Sequence, residues 1–173
     1  MSVLGFSDKL MMVTERNIDE MSKETCRWLR KSDKTPWYHS LPEKECFLRN
    51  REFFHSLRNI YPSPPPYVEI FEYFRNWATK RYHEGIPLEQ VIYKLVIMRR
   101  QMRVITESKA LVMTGLDLHQ SVESINKMIR LFDHGTYAVI KKYREMDQAE
   151  KDLILQRSGI GGLIRSWVSR KGL

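Results

Sequence analysis

The residue with the strongest demand for a chemical partner is Arg81, at the end of an aromatic stripe. On a helix read over 67–84, Tyr67, Phe71, Phe74, Ala78 and Arg81 fall on one face, with Ile70 and Trp77 beside them. A guanidinium buried there without an acceptor is costly, so something acidic must meet it. Two partners satisfy that demand. One is Glu84, as an ordinary salt bridge. The other is an anionic ligand head, its apolar tail walled by Tyr67, Phe71, Phe74, Trp77, Ala78 and Met98, with His83, Arg99 and Arg100 at the mouth.

Other chemistry-bearing residues form no recognisable catalytic pattern. There is no GxSxG, P-loop, HExxH or dinucleotide glycine pattern, and the chain is read as non-enzymatic. Glu69 with Glu72 and Asp147 with Glu150 are helix-surface neighbours, where solvated charge is the simplest account. His39, His55, His83, His119 and His134 lack metal-ligand spacing, and Cys26 and Cys46 lack CxxC spacing. Those cysteines are expected as buried thiols in the reducing cytoplasm, with no metal and no cofactor.

Helices must position these residues. Over 7–30, Leu10, Val13, Ile18, Met21, Thr25 and Trp28 predict a first helix capped by Ser7. A loop over 31–41 holds Trp37, Tyr38 and His39. Pro42 then suits the first turn of a second helix bearing Phe47, Phe53, Phe54, Leu57, Ile60 and Tyr61 on one broad stripe. The run Pro62-Ser63-Pro64-Pro65-Pro66 forces a stiff connection before the aromatic helix. Gly85 ends that helix and Pro87 opens the next.

The helix from 87 to about 108 carries Leu88, Leu95, Met98, Met102 and Ile105 at a spacing nearer 3.5 than 3.6. After a weakly patterned 109–115, a last long helix reads Leu118, Val122, Ile125, Ile129, Phe132, Thr136, Val139, Tyr143 and Met146. Gly135 within it costs helix stability about 1 kcal/mol relative to Ala, and permits close packing or a bend. The expected architecture is all-α: a domain over 1–157 and a basic amphipathic tail over 158–173.

With 173 residues and a hydrophobic share of 42%, the chain is long enough to bury a core. A net charge of +8 and a pI near 9.5 raise a nucleic-acid or membrane-surface alternative through Arg99, Arg100, Arg103 and the tail residues Arg165, Arg170 and Lys171. The basic residues are interleaved with acids and with an apolar seam, so solvated helix flanks are preferred and nucleic acid is not expected. The longest uncharged apolar run, Leu95 to Met98, is far too short to span a bilayer, and a soluble, cytoplasmic protein is expected.

The corner and following helix, RYHEGIPLEQVIYKLVIMRRQM, lie between an aromatic helix and a heptad helix. Together they resemble the N-terminal sensor domains of the stressosome RsbR type and the sporulation-inhibitory sensor proteins, a heme-less branch of the globin-coupled sensor fold. The resemblance covers roughly residues 8–157. It implies a globin-like bundle and a homodimer built on a four-helix interface from the last two helices. Leu88, Leu95, Met102, Leu118, Val122, Ile125, Ile129, Phe132, Val139 and Tyr143 are assigned to that seam. It also implies a fatty-acid-like or small anionic ligand and an output to an effector or kinase partner in stress or sporulation signalling. Heme-binding relatives place a histidine about one turn before the corner glycine, where this chain has Arg81. A heme-binding gas sensor using His83 or His55 is therefore the alternative.

Overall fold

The computed structural model describes the backbone of residues 6–110 and 115–157. These residues form α1 (Phe6–Arg16), α2 (Ile18–Lys31), a 3-10 turn (Pro36–His39), α3 (Glu43–Ile60), α4 (Val68–His83), α5 (Leu88–Ala110) and α6 (Gly115–Arg157). No strand occurs among the described residues, and no described helix is long and apolar enough to cross a membrane. The basic tail from residue 158 and the side chains of Leu10, Leu118 and His119 lie outside the described residues.

The single helix expected over 7–30 is instead two. Asn17 breaks it: its side-chain amide donates to the Val13 carbonyl at 2.7 Å, and its backbone sits at φ −114°, ψ 14°. The Val13 carbonyl accepts this amide as well as the Asn17 backbone N–H at 3.2 Å, and local side-chain bonding of this kind competes with continuation of the helix. The inward face of α2 shifts accordingly, burying Leu29 completely while Trp28 stays 42% exposed.

The α4–α5 corner follows its glycine and proline. Gly85 adopts φ +71°, its N–H donates to the Tyr82 carbonyl at 2.9 Å, and the Ile86 N–H donates to the Arg81 carbonyl at 3.2 Å. This paired reach-back is a Schellman cap, and the buried Ile86 supplies its apolar contact. Pro87 accepts from the Gln90 and Val91 N–H groups and opens α5. Tyr143 of α6 locks the corner, its hydroxyl donating to the Ile86 carbonyl at 2.9 Å.

Helix α6 lies along α4, α3 packs on α2, and α5 touches α1, α2 and α6. The core centres on Phe53 of α3, whose ring meets Trp77 at 5.4 Å, Phe74 at 5.8 Å and Phe132 at 6.4 Å between centroids. Gly135 brings α6 against Phe74 so closely that a Cβ there would stand 2.5 Å from the ring. Close packing is therefore the reason for this glycine.

The heptad residues divide. Leu95, Met102, Phe132, Val139 and Tyr143, assigned to a seam between copies, are buried within the single chain. A 3.5-residue stripe records only that a partner surface exists, and here the partner is the chain's own α1–α4 layer. Leu88, Ile125 and Ile129 are half-buried, and Val122 is exposed.

Candidate functional site

The C-terminal end of α4 brings together the charged residues that the rest of the core excludes. Arg81 occupies the last inward turn, 9% exposed. Its Nη2 donates to Glu84 Oε1 at 2.9 Å. Its Nε lies 2.8 Å from Glu84 Oε2, but the N–H is not directed at that oxygen, and Nε remains a buried donor without an acceptor. Distance alone makes an ion pair; a hydrogen bond also needs alignment. The guanidinium sits 5.6 Å from the Trp77 ring centre. Glu84 is shared, because Arg49 of α3 also donates to it, at 2.8 Å, and to Glu45 at 3.0 Å.

Lys94 of α5 adds a third cation behind this pair. It is 1% exposed, and no ion pair reaches it among the described residues. Its Nζ lies 5.4 Å from the Tyr38 ring centre and 5.8 Å from that of Trp77. Burial first, and then the Arg81 charge, push the amine down to about 7. Tyr38, supplied by the 3-10 turn, is also 1% exposed, and its hydroxyl has no hydrogen-bond partner. Burial holds that phenol above its ordinary range. The turn is fixed to α5 by the Trp37 N–H donating to Gln90 Oε1 at 2.9 Å.

Two thiols complete the interior. Asn50 Nδ2 lies 3.4 Å from the Ser22 carbonyl and 3.7 Å from Cys46 Sγ, and Cys26 Sγ lies 3.9 Å from the Glu43 carbonyl. Ser22 and Cys26 are one turn apart on α2, as are Asn50 and Cys46 on α3, so the two thiols face each other across the helix pair. Hydrogen bonding from Cys26 holds the Cys46 thiol below its usual value, with Lys94 and Asn50 adding to the effect.

A cavity of about 190 Å³ opens between α3 and α4 beside Arg81, lined by Arg49, Glu52, Phe53 and Ser56 of α3 and by Tyr73, Trp77 and Lys80 of α4. The residues expected to wall one ligand pocket separate along α4. Trp77 and Arg81 line this cavity, whereas Tyr67 and Phe71 border a different crevice with His134. Phe74, Ala78 and Met98 are filled into the core at no exposure, and His83 faces solvent. The physical reason is length: the fourteen steps from residue 67 to residue 81 span about 21 Å of helix, too far for one small cavity. Phe74 also packs against the rings of Phe53, Tyr73 and Trp77 rather than facing empty space.

Lys94, Tyr38 and Arg49 were not anticipated. The signal for Lys94 lies in α5, where Gln90, Lys94, Ile97 and Gln101 form a second buried stripe beside Val91, Leu95, Met98 and Met102. Steps of four, three and four placed these polar residues parallel to the apolar stripe, as expected for a helix enclosed on two sides.

The four described side chains among the histidines, His39, His55, His83 and His134, are all exposed. Among the described residues no three His, Cys, Asp or Glu side chains cluster as metal ligands. Comparison with protein-family models, with curated proteins and with solved structures finds no match.

Proposed function

We propose that this chain is a non-catalytic regulatory domain that binds a small carboxylate or similar anion in the α3–α4 cavity and relays occupancy through the α4–α5 corner. The observation that carries this reading is Arg81: a buried guanidinium on the cavity wall whose carboxylate partner, Glu84, is shared with Arg49. Arg49 supplies a second guanidinium, and Phe53, Tyr73 and Trp77 supply apolar wall. The cavity's 190 Å³ is below the range of drug-sized sites, which favours a short-chain or aromatic acid over a long acyl tail.

Relay follows from connectivity. Arg81 carries the cap bond to Ile86, and the adjacent Tyr82 hydroxyl lies 2.9 Å from Asp147 and 2.8 Å from Glu150 of α6. An anion that draws Arg81 from Glu84 shifts the corner and, with it, the distal part of α6. That part presents exposed Leu153 and Ile154 as a surface for an effector protein. Homodimerisation falls to the outer α5–α6 face, where Val96 and Val122 are exposed and Ile92, Ile125 and Ile129 are half-buried. The likeness to heme-less sensor domains agrees with this arrangement.

A heme reading is less well supported, because no described histidine turns inward. A polyanion reading is weakened by Arg99 pairing with Asp133 at 3.1 Å and Arg103 with Glu107 at 2.6 Å. A thermal-shift series of carboxylates of increasing chain length tests the proposal. Stabilisation should be greatest for short or aromatic acids and vanish in Arg81→Gln; stabilisation that grows steadily to long acyl chains would reject the small-ligand reading.

A further inference from the structure

Behind the Trp77 ring lies a second piece of chemistry that does not depend on occupancy of the α3–α4 cavity. We infer that Lys94 is a carbon dioxide site, where the buried amine adds to CO2 and the resulting carbamate is held by the Tyr38 hydroxyl within the field of the Arg81 charge. Three observations converge on it. Lys94 is wholly enclosed with no carboxylate paired to it among the described residues, and its nearest compensation is the faces of Tyr38 and Trp77. Arg81 lies against the same Trp77 ring, so two cations flank one indole while Glu84 is already shared by Arg81 and Arg49. The Tyr38 O–H is a buried donor with no acceptor.

Buried donors without acceptors cost stability, and a third buried cation among them costs more. A carbamate removes both penalties together. It replaces the unpaired amine with an anion near the Arg81 charge and brings an oxygen to the unsatisfied Tyr38 donor. The reaction needs a neutral amine, and the interior provides one, since burial and Arg81 lower the affinity of Lys94 for a proton. Arg49, Glu84 and Cys46 are the other charged or titratable groups that act on it. Carbon dioxide is small and uncharged, so it enters a site that excludes larger carbonyl compounds.

The step balances without an oxidant or a leaving group. The Nζ lone pair forms the C–N bond, one C=O π pair moves onto oxygen, and the nitrogen releases one proton. The bicarbonate buffer takes up that proton. Amine and CO2 thus give carbamate and a proton.

The test uses the full chain in bicarbonate-buffered solution under CO2. Trialkyloxonium alkylation converts carbamates to stable esters, peptide mass spectrometry locates them, and 13C NMR with labelled CO2 reports the free carbamate. An ester at Lys94 is expected in the wild type. It should disappear in Lys94→Met and fall several-fold in Tyr38→Phe, which keeps the amine and the aromatic face. The chain's α-amino group serves as an internal control for trapping. Trapping at the α-amino group with Lys94 unmodified would overturn the inference, as would undiminished Lys94 ester in Tyr38→Phe. Neither result depends on ligand binding between α3 and α4.

Discussion

Gly135→Ala sets two opposed effects against each other, and the structure decides their balance. Alanine in a helix interior is favoured over glycine by about 1 kcal/mol. Its Cβ, however, would lie 2.5 Å from Phe74 Cζ, 2.6 Å from Cε2 and 2.7 Å from Cδ2. Carbon–carbon contacts settle at roughly 3.5–4.0 Å, so the ring must retreat by about 1 Å. It has little room to do so, because Phe74 is fully buried and bounded by the rings of Tyr73 at 5.4 Å, Phe53 at 5.8 Å and Trp77 at 6.4 Å. Overpacking of a tight core costs about 1–3 kcal/mol, which outweighs the propensity gain over most of that range, so Gly135→Ala should be destabilising by up to about 2 kcal/mol. Phe74→Leu removes the ring tip and part of the clash. The double variant should therefore be less destabilised than the sum of the singles by about 1 kcal/mol. Urea denaturation with an unchanged m-value measures both quantities. Additive effects within about 0.3–0.5 kcal/mol, or a more stable Gly135→Ala, would refute the close-approach reasoning.

Lys94 predicts a pH dependence. Its folded value is about 7 against an ordinary 10.5, so between those limits the unfolded chain holds more protons and stability rises with pH. The slope approaches about 1.4 kcal/mol per pH unit, seen as a wild-type minus Lys94→Met difference in CO2-free buffer. A flat difference would place the amine in water. Tyr82→Phe should cost at most about 1 kcal/mol globally yet speed amide exchange in α6 beyond residue 147; unchanged exchange there would deny the link between corner and output. Cys26 and Cys46, at 3% and 1% exposure, should resist an aromatic disulfide reagent in the native state and react fully in guanidinium. Native-state labelling of either thiol would contradict that burial.

What the sequence displays is mostly local. The end of α4 and the start of α5 are readable because Gly85 and Pro87 impose backbone angles whatever surrounds them. Arg81 is also readable, since its place on an apolar stripe fixes its direction, and Glu84 is identifiable as its ion-pair partner. The break at Asn17 is not, because it rests on one side chain turning back to Val13. Periodicity could not tell whether Phe132 and Val139 face a second copy or α4, since both present the same stripe. Lys94 and Tyr38 become partners only when α5 and the 36–39 turn pack together, a relation 56 residues apart in the chain. The extent of the cavity depends equally on tertiary filling, which closes Phe74 and Ala78 and leaves Trp77 and Arg81 at an opening.

The central claim is that Arg81 and Arg49, which share Glu84, bind a small anion in the α3–α4 cavity. Arginine side-chain NMR observes these groups directly, through the Nε–H resonances of protein titrated with benzoate or butyrate. The account predicts a saturable shift of the Arg81 Nε–H signal, accompanied by Arg49 and absent for surface arginines such as Arg51 and Arg58. Unmoved Arg81 and Arg49 signals at concentrations that shift the exposed arginines would contradict it.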